Sequence, residues 1–384
     1  MKKKLVSLLT VSAMTMSMLV GCGSGAAETA TETAETVAET ATEVADTATD
    51  AAEEVADTAT EVAEAVTEEA AGSGDLADKK VGVCIYQFAD NFMTLFRTEL
   101  ENYLISQGFS KDNITIVDGA NDQATQTNQI QNFITQGVDV LIINPVNSSS
   151  AATITDLVVG ADIPLVYINR EPDADEEARW QSNSWNVTYV GCDARQSGTM
   201  QGEIIADLGL DKIDFNKNGK VDYIMIKGDP ENVDAQYRTE FSIKALEDAG
   251  MEVNKLDEQV GMWDQAQGQQ LVANALSQYG NDIEVVFCNN DAMALGALQA
   301  IEAAGRKVGT DIYLVGVDAL TEVVEDVISG TITGTVFNDH ISQSHSAADA
   351  AANYLTGKGN DHYIGCDYVK VTTDNAQSVL DSLK

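Results

Sequence analysis

From residue 81 to 338 short apolar runs recur with helical stretches between them, and this rhythm restricts the fold more than anything else in the sequence. The runs are 81–88, 114–118, 140–145, 165–169, 189–193, 223–227, 284–289, 313–318 and 333–338. Segments of helical pattern, such as 92–104, 123–135, 235–248 and 292–304, separate them. Strands alternating with helices predict parallel pairing, because a parallel connection must cross back over the sheet and a helix does so while covering a face. The runs are nearly continuous in apolar residues, as expected of strands buried on both sides. Only 4 prolines occur, and none interrupts the centre of a run. The fold class is therefore α/β, and about 306 residues from Lys79 onward suffice for two similar lobes.

The first 78 residues have a different character. Lys2, Lys3 and Lys4 precede an uncharged apolar stretch that ends Leu19-Val20-Gly21-Cys22. This reads as a signal peptide, too short for a membrane span, ending in a lipoprotein box with Cys22 as the lipidated residue. Acyl chains there would contribute about 0.8 kcal/mol per buried CH₂. Residues 23–78 hold 16 acidic side chains and no Lys or Arg, with Val-Ala-Asp-Thr-Ala-Thr at Val44 and again at Val55. Such a segment lacks the apolar bulk for a core and reads as a solvated acidic tether, with a transient helix as the alternative. The formal net charge of −39 argues against nucleic acid as a partner.

Ligands of open α/β sheets bind beyond the carboxyl ends of the strands. The residues just past the runs are of one chemical type: Asp90, Asn144, Asn232 with Asp234 and Arg238, Asn290, Asp318 and Asn338. Carboxylates, amides and a guanidinium each present two coplanar hydrogen-bonding atoms, which suit vicinal hydroxyls. Phe92 and Trp263 supply flat rings for an apolar C–H face. A single Asp or Asn in such a place is more simply a helix N-cap, and only the repetition points to a polar cleft. Catalysis finds little support. His340, His345 and His362 stand outside any nucleophile or HExxH context, no phosphate-binding glycine motif comes after a strand, and Asp90 with Asp318 is a weak candidate for a glycosidase pair.

A second motif reads D-x-N-x-N-G-x-V-D from Asp214 to Asp222, the first nine positions of an EF-hand loop. Asp214, Asn216, Asn218, the carbonyl of Lys220, and Asp222 would present oxygens to a structural Ca²⁺. Position 12 falls on Met225, so a remote carboxylate must complete the shell; the alternative is an Asx-rich turn. Cys84, Cys192, Cys288 and Cys366 show no CxxC spacing. They read as buried free thiols, with pairing of two of them open in an exported chain.

The stretch from Val81 to Asn375 resembles the periplasmic glucose/galactose-binding proteins, class I substrate-binding proteins of ABC transporters. The matching blocks include Asp90-Asn91-Phe92-Met93, Asn169-Arg170-Glu171-Pro172, Met262-Trp263-Asp264, Asn289-Asn290-Asp291, Gly316-Val317-Asp318 and Phe337-Asn338-Asp339. By that resemblance Phe92 and Trp263 would sandwich a pyranose, and Asp90, Asn144, Asp234, Arg238, Asn290, Asp318 and Asn338 would take its hydroxyls. Asn232 stands where the family commonly has a His, which leaves glucose versus galactose open. Glu284 would complete the calcium shell. The resemblance further implies a three-segment hinge near 163–168, 338–341 and 369–373. One lobe would then be 79–166 plus 340–370, and the other 167–339 plus 371–384. The expected role is a monomeric, non-enzymatic, lipid-anchored extracytoplasmic protein that closes on galactose or glucose and docks on an ABC permease. Alternatives are a sugar-sensing receptor component for chemotaxis or signalling, or a binder of another monosaccharide.

Overall fold

The computed structural model describes residues 76–383. The expected signal segment, Cys22 and nearly all of the tether lie outside the described residues. Among the described residues no helix is long and apolar enough to cross a membrane.

Among the described residues twelve strands occur in the order β1 Val81–Ile85, β2 Ile114–Asp118, β3 Val140–Ile143, β4 Leu165–Ile168, β5 Val187–Cys192, β6 Val221–Lys227, β7 Val253–Val260, β8 Val285–Cys288, β9 Tyr313–Val315, β10 Thr335–Phe337, β11 Tyr363–Cys366 and β12 Val369–Val371. Six form one sheet in the order β11-β5-β4-β3-β1-β2, and four form another, β7-β6-β8-β9. Every pairing within these two sheets is parallel. β10 and β12 pair antiparallel, and isolated parallel bridges from Val315 to Gly334 and from Asp318 to Phe337 set this ribbon beside β9.

The strand period of two sorts each sheet's side chains into two cores. In the first sheet Val81, Val83, Ile142 and Val166 pack under Phe96 and Leu100 of the helix Asn91–Ser106 and under the alanines of His340–Leu355. Cys84, Leu141, Tyr167 and Tyr189 face the other way, against Ile130, Phe133, Ile154 and Trp180. The second sheet repeats the plan, with Ile224, Ile226 and Val286 on one face and Tyr223, Met225 and Phe287 on the other. Each such fully buried side chain contributes roughly 1.5–3 kcal/mol, which is why both layers of helices are needed.

The expected division of the lobes at 166/167 does not hold. It would cut β4 in half and assign β5 to the second lobe, whereas β4 and β5 pair side by side inside the first sheet. The chain leaves that lobe only after Cys192, entering the helix Ala194–Ala206, which packs on Val233–Asp248 of the second. It returns between Asn338 and His340 and crosses again between Cys366 and Val369. The middle crossing agrees with the expected 338–341. The third comes slightly earlier than expected, so that residues 369–370 of β12 lie in the second lobe.

Candidate functional site

Segments at the carboxyl ends of β1, β4, β6, β7, β8, β9 and β10 meet around one small cavity. Its wall holds Asp90, Phe92, Asn232, Asp234, Arg238 and Trp263, together with Asn290, Asp318 and Asn338. Nine of the ten side chains expected from the sequence are thereby brought together. Tyr86, Met93, Asn169 and Arg170 line it as well, and sequence reasoning gave them no role.

Several of these side chains both cap a helix and face the cavity. Asp90 accepts from Met93 N at 2.7 Å, at the start of Asn91–Ser106, and from the Tyr86 hydroxyl at 2.7 Å. Asn232 accepts from Asp234 N at 3.0 Å, and Asn290 from Met293 N at 3.0 Å. The cap fixes the rotamer of each residue, and in Asp90 the second carboxylate oxygen is held as well, by the Tyr86 hydroxyl. Asn290 uses its amide to hold the Trp263 carbonyl at 3.2 Å.

Backbone strain aims three of the wall residues. Asn169 has φ +62°, Trp263 φ +65° and Asp318 φ +127°, conformations that non-glycine residues adopt only when the surroundings enforce them. Around Asp318 the enforcement comes from buried Asp291, which accepts from Thr335 Oγ1 at 2.7 Å and Leu320 N at 2.9 Å. Burial pushes the Asp291 carboxyl up to about 7 despite those bonds. The Trp263 ring lies flat against Gly228, where an added Cβ would sit 2.1 Å from the indole.

Two of the cavity's carboxylates, Asp234 and Asp318, share one guanidinium. Arg238 donates to the Asn289 carbonyl at 2.9 Å and to the Tyr368 hydroxyl at 3.1 Å. Its guanidinium lies 3.7 Å from Asp234 and 4.0 Å from Asp318. Burial raises the carboxyls of Asp234 and, much more strongly, Asp318, with Arg238 opposing both. The charges of Asp291 and Asp90 add to the rise at Asp318. Arg170 packs over the Tyr86 ring at 3.7 Å, donates to the Val146 carbonyl and reaches Asp229 at 3.4 Å.

Asp234 Oδ1, Arg238 Nε, Trp263 Nε1, and Arg170 Nε and Nη2 are buried without a hydrogen-bond partner. Each such group costs about 1–3 kcal/mol if left dry, so this wall is arranged for a ligand rich in both donors and acceptors.

A family model for the periplasmic binding protein domain matches residues 81–359. The chain belongs to that family. As a periplasmic binding protein it is a substrate-binding component of transport systems and not an enzyme. It is 35% identical to the D-galactose/methyl-galactoside binding periplasmic protein MglB of Haemophilus influenzae over 81% of this chain and 95% of that one. It is 33% identical to a putative rhizopine-binding protein of Rhizobium meliloti, over 77% and 90% of the two chains. Among solved structures, an ABC transporter solute binding protein from Bacillus halodurans with bound myo-inositol superposes with a TM-score of 0.70 at 28% identity, covering 80% of this chain and 99% of that one.

In this binding protein Asn144 is the expected residue that does not line the cavity. It is fully buried, accepts from Tyr86 N at 3.2 Å, and donates to the Ile168 carbonyl at 3.1 Å and Asn169 Oδ1 at 3.2 Å. A residue directly at the end of a central strand finds the neighbouring strand ends closer than the ligand, so Asn144 positions Tyr86 and Asn169 instead.

The loop from Asp214 to Asp222 lies before β6, at the opposite end of the strand from the cavity. Glu284, the expected remote carboxylate, does reach it, accepting from Asn216 N at 3.2 Å and Asp222 N at 3.0 Å. Asp214 accepts from Asn218 N and Gly219 N, and the amides of Asn216 and Asn218 both donate to Asp222 Oδ2 at 2.6 Å. Lys220 N donates to Asn218 Oδ1 at 2.8 Å, and Gly219 supplies the turn with φ +82°. Among the described residues no three His, Cys, Asp or Glu side chains are grouped to hold a metal ion. Within the motif both asparagine amides thus turn their nitrogens toward the Asp222 carboxylate.

Proposed function

We propose that this protein captures D-galactose and/or D-glucose for an ABC transporter, closing its two lobes over the sugar. The observation that carries the reading is the set of buried, unpartnered polar atoms on four side chains around one cavity that also has Phe92 and Trp263 in its wall. A monosaccharide brings hydroxyls that both donate and accept, and an apolar ring face for the aromatic rings. Galactose is favoured among sugars by the relative whose name carries it and by the agreement of nine wall residues with the expected glucose/galactose pattern. Asn232 stands where the family commonly has a His, so hexose preference and affinity are the properties this position bears on. Calorimetry with galactose, glucose, ribose, xylose, arabinose and myo-inositol tests this. We expect the two hexoses to bind most tightly; silent hexoses beside a tightly bound pentose or inositol would overturn the substrate while leaving the binding role intact.

We further propose that the 214–222 loop and Glu284 hold a structural Ca²⁺. The support is the spacing of Asp214, Asn216, Asn218, Lys220 and Asp222 and the bonds by which Glu284, from a second segment, holds the Asn216 and Asp222 backbone N–H groups. The asparagine amides need only a half-turn to present oxygen instead of nitrogen. A calcium-binding loop here would brace the start of β6. At calcium a hundredfold above its Kd the fold would gain about 2.7 kcal/mol. Thermal melting with calcium and with excess EGTA should then differ by several degrees, and identical curves would remove the ion from the account. We also propose the lipid anchor at Cys22, which radiolabelled palmitate incorporation and its loss in Cys22→Ser would test.

A further inference from the structure

The four cysteines of the described region are free thiols, but two of them are not isolated. Cys192 is the last residue of β5 and Cys366 the last of β11. These strands pair in parallel, and the register sets Cys366 directly opposite Cys192. Neighbouring strands run about 4.7–4.9 Å apart and paired side chains leave the same face, whereas a disulfide requires a Cα separation of about 4.4–6.8 Å. Each thiol perturbs the proton affinity of the other, and Ser346 acts on Cys366 as well. Cys84 and Cys288, by contrast, lie in different sheets, deep in separate cores.

The position of the pair gives it a consequence. Cys192 immediately precedes the first crossing between lobes, since Asp193 caps the helix Ala194–Ala206 of the second lobe. Cys366 immediately precedes the third crossing, which leads into β12 of the second lobe. Tyr368, two residues beyond Cys366, anchors the cavity's Arg238. β11 is moreover a four-residue edge strand held on one side only. We propose that Cys192 and Cys366 form a reversible disulfide that ties two of the three hinge crossings together and thereby slows release of ligand. The second half of this statement rests on the sugar-capture reading above; the first does not.

The two thiols have unequal roles. Cys192 is buried, and the neighbouring Cys366 together with burial keeps its proton on. Cys366 is half-buried, and the neighbouring Cys192 thiol lowers its pKa. Reactive cysteines have this combination of access and thiolate character. With a low-molecular-weight disulfide as oxidant, the Cys366 thiolate attacks one sulfur and expels the first thiolate. Cys192 then gives up its proton and attacks Sγ of Cys366, expelling the second. One external disulfide is reduced to two thiols, which take the two protons, and two protein thiols are oxidised to one bond.

The full chain carrying Cys22→Ser is incubated with oxidised glutathione or with dithiothreitol, then denatured and its thiols counted. We expect four thiols in the reduced protein and two in the oxidised, with a disulfide-linked peptide joining Cys192 to Cys366 and no loss in Cys366→Ser. A count that stays at four in oxidant would overturn the proposal, whatever the protein binds. Galactose release is then followed by stopped flow in both forms. A slower release in the oxidised protein, restored by dithiothreitol and absent in Cys192→Ser/Cys366→Ser, is the expected result; an oxidised protein that releases sugar at the reduced rate would overturn the coupling to the hinge. A protein that forms the bond but binds none of the sugars would fail the sugar reading and leave the disulfide standing.

Discussion

At Arg238 a single buried guanidinium serves four neighbours, the Asn289 carbonyl, the Tyr368 hydroxyl and the carboxylates of Asp234 and Asp318. Lysine offers one charged point in place of a planar fork and cannot hold all of these at once. Arg238→Lys should therefore leave the fold in place but loosen both carboxylates, costing about 1–3 kcal/mol of sugar binding, roughly 10- to 100-fold in Kd. Calorimetry checks this, and an unchanged Kd would show that the carboxylates are held by other groups. The carboxylates and amides themselves were legible in the sequence because each ends an apolar run. Their second duty was legible too, since Asp90, Asn232 and Asn290 cap helices as isolated Asx residues at such places would. Arg170, Tyr86 and Tyr368 were not, since no local pattern says that an arginine after β4 will stack on a tyrosine after β1. Asp291 was hidden for the same reason; its partner Thr335 lies 44 residues away.

Among the elements, the helix Ala174–Asn183 carries three acids in its first turn, Asp175, Glu176 and Glu177, as its positive end favours. Glu176 is paired with Arg179 and the Trp180 indole, but Glu177 keeps a buried oxygen without a partner. Burial raises the Glu177 carboxyl from 4.5 to about 7. A carboxyl with the higher pKa in the folded state binds its proton more tightly there, so its contribution to stability is greatest in acid. That contribution declines as pH rises from about 4.5 to about 7 and is constant above. Glu177→Gln removes the titration. Urea unfolding of both proteins at about pH 5 and pH 8 should show the variant gaining on the wild type by about 1–2 kcal/mol at the higher pH, after allowance for the solvent that Glu177 still sees. An equal difference at both pH values would mean that Glu177 does not titrate in this range. Elements such as this helix were only partly readable beforehand. The nine apolar runs became strands, whereas β7 did not show because it is an edge strand with exposed Asn254, Lys255 and Gln259 and no apolar face long enough to register.

Across the whole molecule, the sequence dictated two parallel sheets but not which strands share one. The runs at 165–169 and 189–193 are equally apolar wherever they pair, so the first crossing was placed about one βα unit too early. With the crossings now at 192–194, 338–340 and 366–369, two polar contacts away from the crossings can be seen to join the lobes directly. Arg170 of the first lobe meets Asp229 of the second at 3.4 Å, both largely buried, and Asn147 meets Glu231 at 3.3 Å. Arg170 is otherwise held within its own lobe by the Val146 carbonyl and the Tyr86 ring, so Asp229→Asn removes a link between lobes without releasing the arginine. In the closed form the variant leaves a buried guanidinium short of its counter-charge, whereas in an open form water solvates it. The whole penalty thus falls on closure, and a two-state hinge passes such a penalty directly to the apparent affinity. Asp229→Asn should weaken sugar binding by about 10- to 100-fold, the equivalent of roughly 1–3 kcal/mol. Most of the change should appear as faster release, because the encounter with the open cleft is unaffected. Small-angle scattering should show the sugar-free variant at least as extended as the wild type, with saturating sugar bringing both to the same radius of gyration. Equal release rates would mean that the arginine pairs with Asp229 without bearing on closure.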